Sequence, residues 1–211
     1  MATEQAAWPE LEFWFEFGSN YSYLSVMRIA ALARQARVRV LWRPFLLGPI
    51  FRDKGWSSSP FVLEPEKGRY AWIDTARRAR KYDLEFRQPS VFPRTALLPM
   101  RVATLGAGEP WMEAFCRAVM RQNFVEDVDI NQAGQVLRAL DGLVDDPAAV
   151  LAQAQGDANK LALREQTERA QRRGVFGAPT FFVGDEMFWG DDRLEDALAW
   201  ANGSFAGRSE L

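Results

Sequence analysis

Near the N-terminus the apolar positions fall in two short blocks separated by a longer mixed stretch. LEFWFEF (11–17) is aromatic, bounded by Gly18, and predicts a strand buried on at least one face. A helix is predicted from about Asn20 to Ala36. VRVLWRPF (38–45) opens with apolar and polar residues in alternation and predicts a second strand. Two strands joined by a helix imply a βαβ opening with parallel pairing.

From Leu47 to Gly174 no strand pattern follows. Residues 48–65 carry Gly48, Pro49, Gly55, the run Ser57-Ser58-Ser59-Pro60 and Pro65, and are predicted to form a long loop with one helical turn; loops of that length tend to be functional. Helical periodicity then recurs at about 66–82, 94–106, 110–123, 131–140, 147–153 and 158–173, broken at Pro89, Pro93, Gly108-Glu109-Pro110 and Asp145-Asp146-Pro147. Strand character returns at Thr180. Phe181 to Val183, the turn Gly184-Asp185-Glu186 and Met187 to Trp189 predict a hairpin, and Asp191 or Asp192 is expected to cap a helix ending near Trp200. The economical arrangement is α/β: a small sheet made by 11–47 and 174–204, with 48–173 as a helical insertion.

Pro179 stands at the first position of that late strand, where no ladder donor is needed. The Ala178–Pro179 bond is a candidate cis peptide. A backbone stopped by proline leaves the amide and carbonyl of Ala178 open to an extended, peptide-like ligand. At the other end of the chain, Ser19 leaves the first strand through Gly18 and stands at the start of the first helix. Serine is a preferred N-cap, and that role alone accounts for it; the same spot also favours negative charge.

Composition removes whole classes of chemistry. The 211 residues contain no histidine and one cysteine, Cys116. Ser-His-Asp and Cys-His nucleophile pairs are excluded, along with the commonest zinc ligand, and no metal site is expected. Cys116 lies in an amphipathic helical stretch and reads as a core residue that makes neither a disulfide nor a CxxC site. If the chain is an enzyme, its nucleophile arrives with a ligand. A formal net charge of −2, with 26 Lys and Arg spread along the chain, gives no footprint for nucleic acid. There is no 18-residue apolar stretch, and the polar start MATEQAAWPE shows no export signal, so no membrane partner and a cytoplasmic location are expected.

FEFGSNYSYL, the helical insert and then VFGAPTFFVGDEMFWGDDRL resemble, over about residues 11–202, the 2-hydroxychromene-2-carboxylate isomerase family, relatives of kappa-class glutathione transferases within the thioredoxin superfamily. Redox members of that superfamily carry Cys-x-x-Cys at the first helix start. Here those four residues are Ser19-Asn20-Tyr21-Ser22, so disulfide exchange by the protein itself is excluded. The resemblance implies a thioredoxin-like fold and a glutathione cofactor whose sulfur lies beside a catalytic Ser19, with the tripeptide against Ala178, Pro179, Trp189, Gly190, Asp191 and Asp192. It implies a small aromatic acid as substrate. The acceptor side is expected to draw its aromatic walls and a cation from Phe51, Arg52, Trp56, Phe61, Phe92 and Arg94, together with Val62 and Thr95, which stand where asparagines often occur in the family. Pairing of the aromatic-rich helices across a two-fold axis would make a homodimer. A kappa-like transferase and a non-catalytic thioredoxin-like binding protein are the competing readings.

Overall fold

A computed structural model describes residues 8–205; residues 1–7, which carry most of the polar start behind the expected lack of an export signal, lie outside it. The chain runs β1 (Glu10–Phe15), α1 (Asn20–Val26), α2 (Ile29–Ala36), β2 (Arg39–Pro44), α3 (Leu47–Asp53), α4 (Pro60–Leu63), α5 (Pro65–Lys81), α6 (Leu97–Leu105), α7 (Met112–Phe124), α8 (Ala133–Leu140), α9 (Pro147–Ala154), α10 (Asp157–Arg172), β3 (Thr180–Val183), β4 (Glu186–Trp189), a 3-10 turn (Asp191–Arg193) and α11 (Leu194–Ala201). No helix among the described residues is long and apolar enough to cross a membrane.

The four strands form one sheet in the order β2-β1-β3-β4. β1 and β2 are parallel, with Glu10 opposite Arg39 and Phe15 opposite Pro44. β3 runs antiparallel to β1, with Phe13 opposite Phe181 and Trp14 opposite Thr180, and β4 folds back on β3. Alternation along β1 divides the core. Leu11, Phe13 and Phe15 join Phe181 and the helices α1, α2, α6 and α7 in the larger apolar cluster, in which Phe13 and Phe181 stack with ring centres 5.3 Å apart. Trp14 and Phe182 point the other way, onto Phe45 just after β2, Leu47 and Ile50 of α3, and Ala170 of α10. Met100, Phe115, Val119 and Met120 of the insert share the larger cluster with β1, so insert and sheet are packed on common apolar residues.

Three local expectations change. The helix expected over 20–36 is two helices, broken at Met27 and Arg28, where the Met27 carbonyl accepts from Arg117 and Arg28 turns its guanidinium over the Tyr82 ring at 3.5 Å. The loop expected over 48–65 contains α3 and α4; Ser59 caps α4 by accepting from the Phe61 N–H, and Pro60 fills its first turn, where no donor is needed. Neither Asp191 nor Asp192 caps the last helix: both sit in the 3-10 turn, and the residue before α11 is Arg193, with no side-chain cap bond.

Asp191 instead joins two parts of the fold. Its carboxylate is buried and accepts from Arg78 at 2.7, 3.0 and 3.3 Å, with Arg28 at 3.8 Å on the far side. Burial pushes its pKa up to about 6 against the pull of Arg78 and Arg28, so it is ionised at neutral pH. The cluster ties α5 of the insert to the turn after β4. Removing one partner leaves a buried charge under-paired, which costs a few kcal/mol where a second cation remains. Arg78→Met is therefore expected to lower the unfolding free energy by about 3 kcal/mol, measured by urea denaturation at neutral pH. A loss below about 1 kcal/mol would show that Arg28 holds Asp191 alone.

Candidate active site

Strand register builds the site. With Trp14 opposite Thr180, the ends of β1 and β3 come side by side, so the turn after β1 and the residues before β3 share one rim of the sheet. That turn closes by the Ser19 N–H donating to the Glu16 carbonyl at 3.1 Å. Ser19 then caps α1 with extended backbone (φ −85°, ψ 118°), its Oγ accepting from the Ser22 N–H at 3.1 Å. The same hydroxyl donates to the Ala178 carbonyl at 2.8 Å, across 159 residues of sequence. Ala178–Pro179 is cis, as is Phe92–Pro93. Capping and a bridge to the opposite loop are thus one side chain's work. The Ala178 carbonyl expected to be free already carries this bond; its N–H has no partner among the described residues.

Ser19 and Ala178 open onto a cleft of about 890 Å³ between the sheet rim, α3 and α5. Two groups of aromatic rings line it. Tyr21, Phe61 and Phe92 form one, with ring centres 6.1 and 6.5 Å apart in succession. Phe51 and Trp56, 5.6 Å apart, and Phe176 and Trp189, 4.8 Å apart, form the other. The Trp189 indole lies over Gly177, where a Cβ would stand 2.5 Å from its ring nitrogen, so only glycine permits that approach. Gly190 is held at φ 108°, and its N–H donates to the Pro179 carbonyl at 3.0 Å. Tyr21 donates to Asp74 at 2.9 Å, and Asn20 donates to the Thr75 hydroxyl at 2.7 Å, fixing α1 to α5 beneath the cleft. Burial and the Asp74 carboxylate together raise the Tyr21 phenol well above its ordinary pKa.

A family sequence model described as the DSBA-like thioredoxin domain matches residues 10–199. The chain belongs to that family. Its thioredoxin-like fold carries a helical insertion between the βαβ and ββα halves. The 2-hydroxychromene-2-carboxylate isomerase of Sphingobium xenophagum is 29% identical over 187 residues, covering 88% of this chain and 94% of the relative. Glutathione S-transferase kappa 1 of Rattus norvegicus is 26% identical, covering 88% and 87%. A solved structure of a 2-hydroxychromene-2-carboxylate isomerase superposes with a TM-score of 0.82 at 26% identity, covering 92% of this chain and 94% of that one. These relatives are named as isomerases and a glutathione transferase.

Within this DsbA-like frame the expected residues divide. Ser19, Phe51, Phe61, Thr95, Ala178, Trp189, Gly190 and Asp192 all border the cleft, as do Arg52, Trp56 and Phe92. Pro179 is buried behind Ala178, shaping the loop from below. Val62 sits on α4, 45% exposed and outside the cleft lining. Two charged expectations are corrected. The Arg94 guanidinium is not a free cation: it is buried and donates to Asn123, Asp127 and the Val128 carbonyl at 2.7–3.0 Å. Asp191 borders the cleft, but its carboxylate is turned inward to Arg78. Asp192, paired only with surface Arg193, keeps an exposed carboxylate at the rim.

The cleft also holds groups that sequence patterns did not single out. Lys54 has no carboxylate partner among the described residues and lies 5.5 Å from the ring centres of both Trp56 and Phe176. Glu16 is partly buried in the cleft wall, and desolvation alone raises its pKa from 4.5 to about 7. Glu16, the second of the two acids in the apolar block LEFWFEF and directly before Phe17-Gly18, was the available signal. Because the folded protein binds the Glu16 proton more tightly than the unfolded chain, stability is lost as pH rises from about 4.5 through 7. Glu16→Gln carries no such loss. Its thermal stability should match that of the parent below about pH 4.5 and exceed it above pH 7, by about 2 kcal/mol after allowing for solvent screening. Melting curves across that range measure it, and a constant offset would contradict the burial of the charge.

Proposed function

We propose that this chain is a glutathione-dependent isomerase of a 2-hydroxychromene-2-carboxylate-type aromatic acid, opening the ring and turning a cis double bond to trans to give a hydroxybenzylidenepyruvate, in the degradation of aromatic compounds. The observation that carries it is the Ser19 hydroxyl on the Ala178 carbonyl, at the rim of a cleft walled by aromatic rings. Names of the isomerase and kappa transferase relatives support the same reading.

The residues fit a thiol tripeptide. The unpartnered Ala178 N–H and its carbonyl offer a strand-like pair to an extended peptide, and the Ser19 hydroxyl lies 2.8 Å from that carbonyl. Binding then exchanges one bond for two: the peptide's own N–H takes over the carbonyl, and the freed Ser19 hydroxyl turns to the sulfur. The Asp192 carboxylate is available to the γ-glutamyl ammonium. Trp189 and Gly190 form the surface on which the tripeptide lies, with Pro179 buried behind Ala178 to shape the loop.

Magnitudes agree. A thiol of pKa about 8.5 is roughly 3% ionised at pH 7, and half ionisation needs about 2 kcal/mol of help. A hydrogen bond donated to an anion is worth roughly 1.5–3 kcal/mol. Ser19 therefore suffices as a stabiliser, and it needs no histidine because it is never the attacking atom. Bound glutathione supplies a nucleophilic sulfur that adds reversibly to a conjugated carbon, making a double bond temporarily single. Phe51, Phe61, Phe92 and Trp56 sandwich the flat acceptor; Lys54 and Arg52, not Arg94, supply the cation for its carboxylate.

Ser19→Ala should lower turnover by roughly 10²–10³-fold while costing about 1 kcal/mol of stability for the lost cap; equal turnover would remove the sulfur-stabilising role. Titration with glutathione, followed by tryptophan fluorescence, should saturate in the millimolar range or below, and no binding there would exclude the glutathione reading. The kappa-type relative keeps one alternative specific: consumption of glutathione in proportion to product would make the chain a transferase.

A further inference from the structure

Four carboxylates border the cleft among the described residues, and three have a partner of their own: Asp74 in Tyr21, Asp191 in Arg78, and Asp192, which stays half exposed, in surface Arg193. Among those residues Glu16 has neither a hydrogen-bond nor an ion-pair partner for its carboxylate. Its two oxygens lie against Gly18, where a Cβ would stand 3.4 and 3.6 Å from them. Its carbonyl closes the turn that presents Ser19, at 3.1 Å from the Ser19 N–H. β1 and β3 last pair at Trp14 and Thr180, and Glu16 and Ala178 each lie two residues beyond that pair at the same end of the sheet. The unpaired acid, the Ser19 hydroxyl and the open Ala178 amide therefore converge on one rim.

We propose that Glu16 is the proton carrier of this cleft, taking the proton of a thiol lodged beside Ser19 and returning it to the sulfur when the sulfur departs. The proposal rests on the glutathione reading. On entry the S–H bond breaks, its electron pair stays on sulfur, and an O–H bond forms on the Glu16 carboxylate; on departure both changes reverse. No oxidant or further reactant is required. A chain without histidine has no imidazole for this work, and a carboxyl that burial holds at about 7 suits proton transfer at neutral pH. The charges facing this part of the cleft do not neutralise it. Tyr21 and Asp74 bind each other on the α1–α5 side, Arg78 is held by Asp191, and Arg94 by Asp127. Arg52 and Lys54 of the α3 side make no ion pair with Glu16. The two side chains thus have separate roles, Ser19 donating to the anion while Glu16 keeps its proton nearby.

Calorimetric titration of the full chain with glutathione, in buffers of different ionisation enthalpy at about pH 8, tests this; there the Glu16 carboxyl is mostly ionised and a free thiol mostly protonated. The ultraviolet thiolate absorption of the complex is read in parallel. In the parent protein the bound thiol should ionise with almost no proton released to the buffer. Glu16→Gln should either leave the bound thiol protonated or release about one proton for each thiol that ionises, with glutathione affinity within about three-fold and isomerase turnover lower by at least 10²-fold. Equal ionisation and an equal proton count in both proteins would overturn the assignment to Glu16 while leaving the glutathione site standing. Absence of glutathione binding by the parent protein would remove both.

Discussion

A single buried carboxylate holds the halves of this molecule in register. Asp191 follows β4, the last strand of the sheet, and receives three hydrogen bonds from Arg78 of α5, with Arg28 on its other side from the break between α1 and α2. Tyr82 sits in the same cluster, accepting from Arg78 and lying beneath Arg28. Elements distant in sequence meet on one acidic side chain. Both guanidinium groups offset the desolvation of that charge, Arg78 through hydrogen bonds and Arg28 at 3.8 Å, and loss of either leaves it under-paired. Arg78 and Asp191 also border the cleft, so this junction is part of its wall.

On this frame the reactive rim needs little machinery. Ser19 satisfies the first helix, reaches the opposite loop and, in the proposed reaction, exchanges one acceptor for another without any backbone change. Strand register supplies the rest of the positioning, since the Trp14–Thr180 pair of β1 and β3 sets the turn after β1 beside the loop that carries Ala178. The aromatic walls are contributed by segments with no sequence proximity, so their shape follows from packing of α3, α4 and the segment around Phe92.

Much of this was legible in the sequence where a local rule decides the outcome. The strands, the proline at the start of β3 and most helices of the insert follow from periodicity and from Gly and Pro punctuation. What failed depended on partners far away. Nothing in the helical stretch 20–36 marks a break, which arises where Arg28 turns toward Asp191 and Tyr82. Arg94 looked like an available cation because its acceptor, Asp127, lies 33 residues further on. Asp191 and Asp192 are adjacent and chemically identical, yet one is buried among arginines and the other exposed; only the 3-10 turn separates their fates. Glu16, like Glu12, reads in the sequence as the solvent side of an alternating strand, and only the fold distinguishes the two by placing Glu16 in the cleft wall.

Cys116 gains meaning from this arrangement. It is fully buried in α7 against Met112, and burial raises its pKa well above that of a free thiol. A protein that handles glutathione works amid mixed disulfides and oxidants that react through thiolates. This chain offers them none of its own: its sole sulfhydryl is sealed in the core and protonated. In the proposed reaction the reactive thiol belongs to the ligand alone, so thiol exchange would act on the ligand and not on a cysteine of the protein.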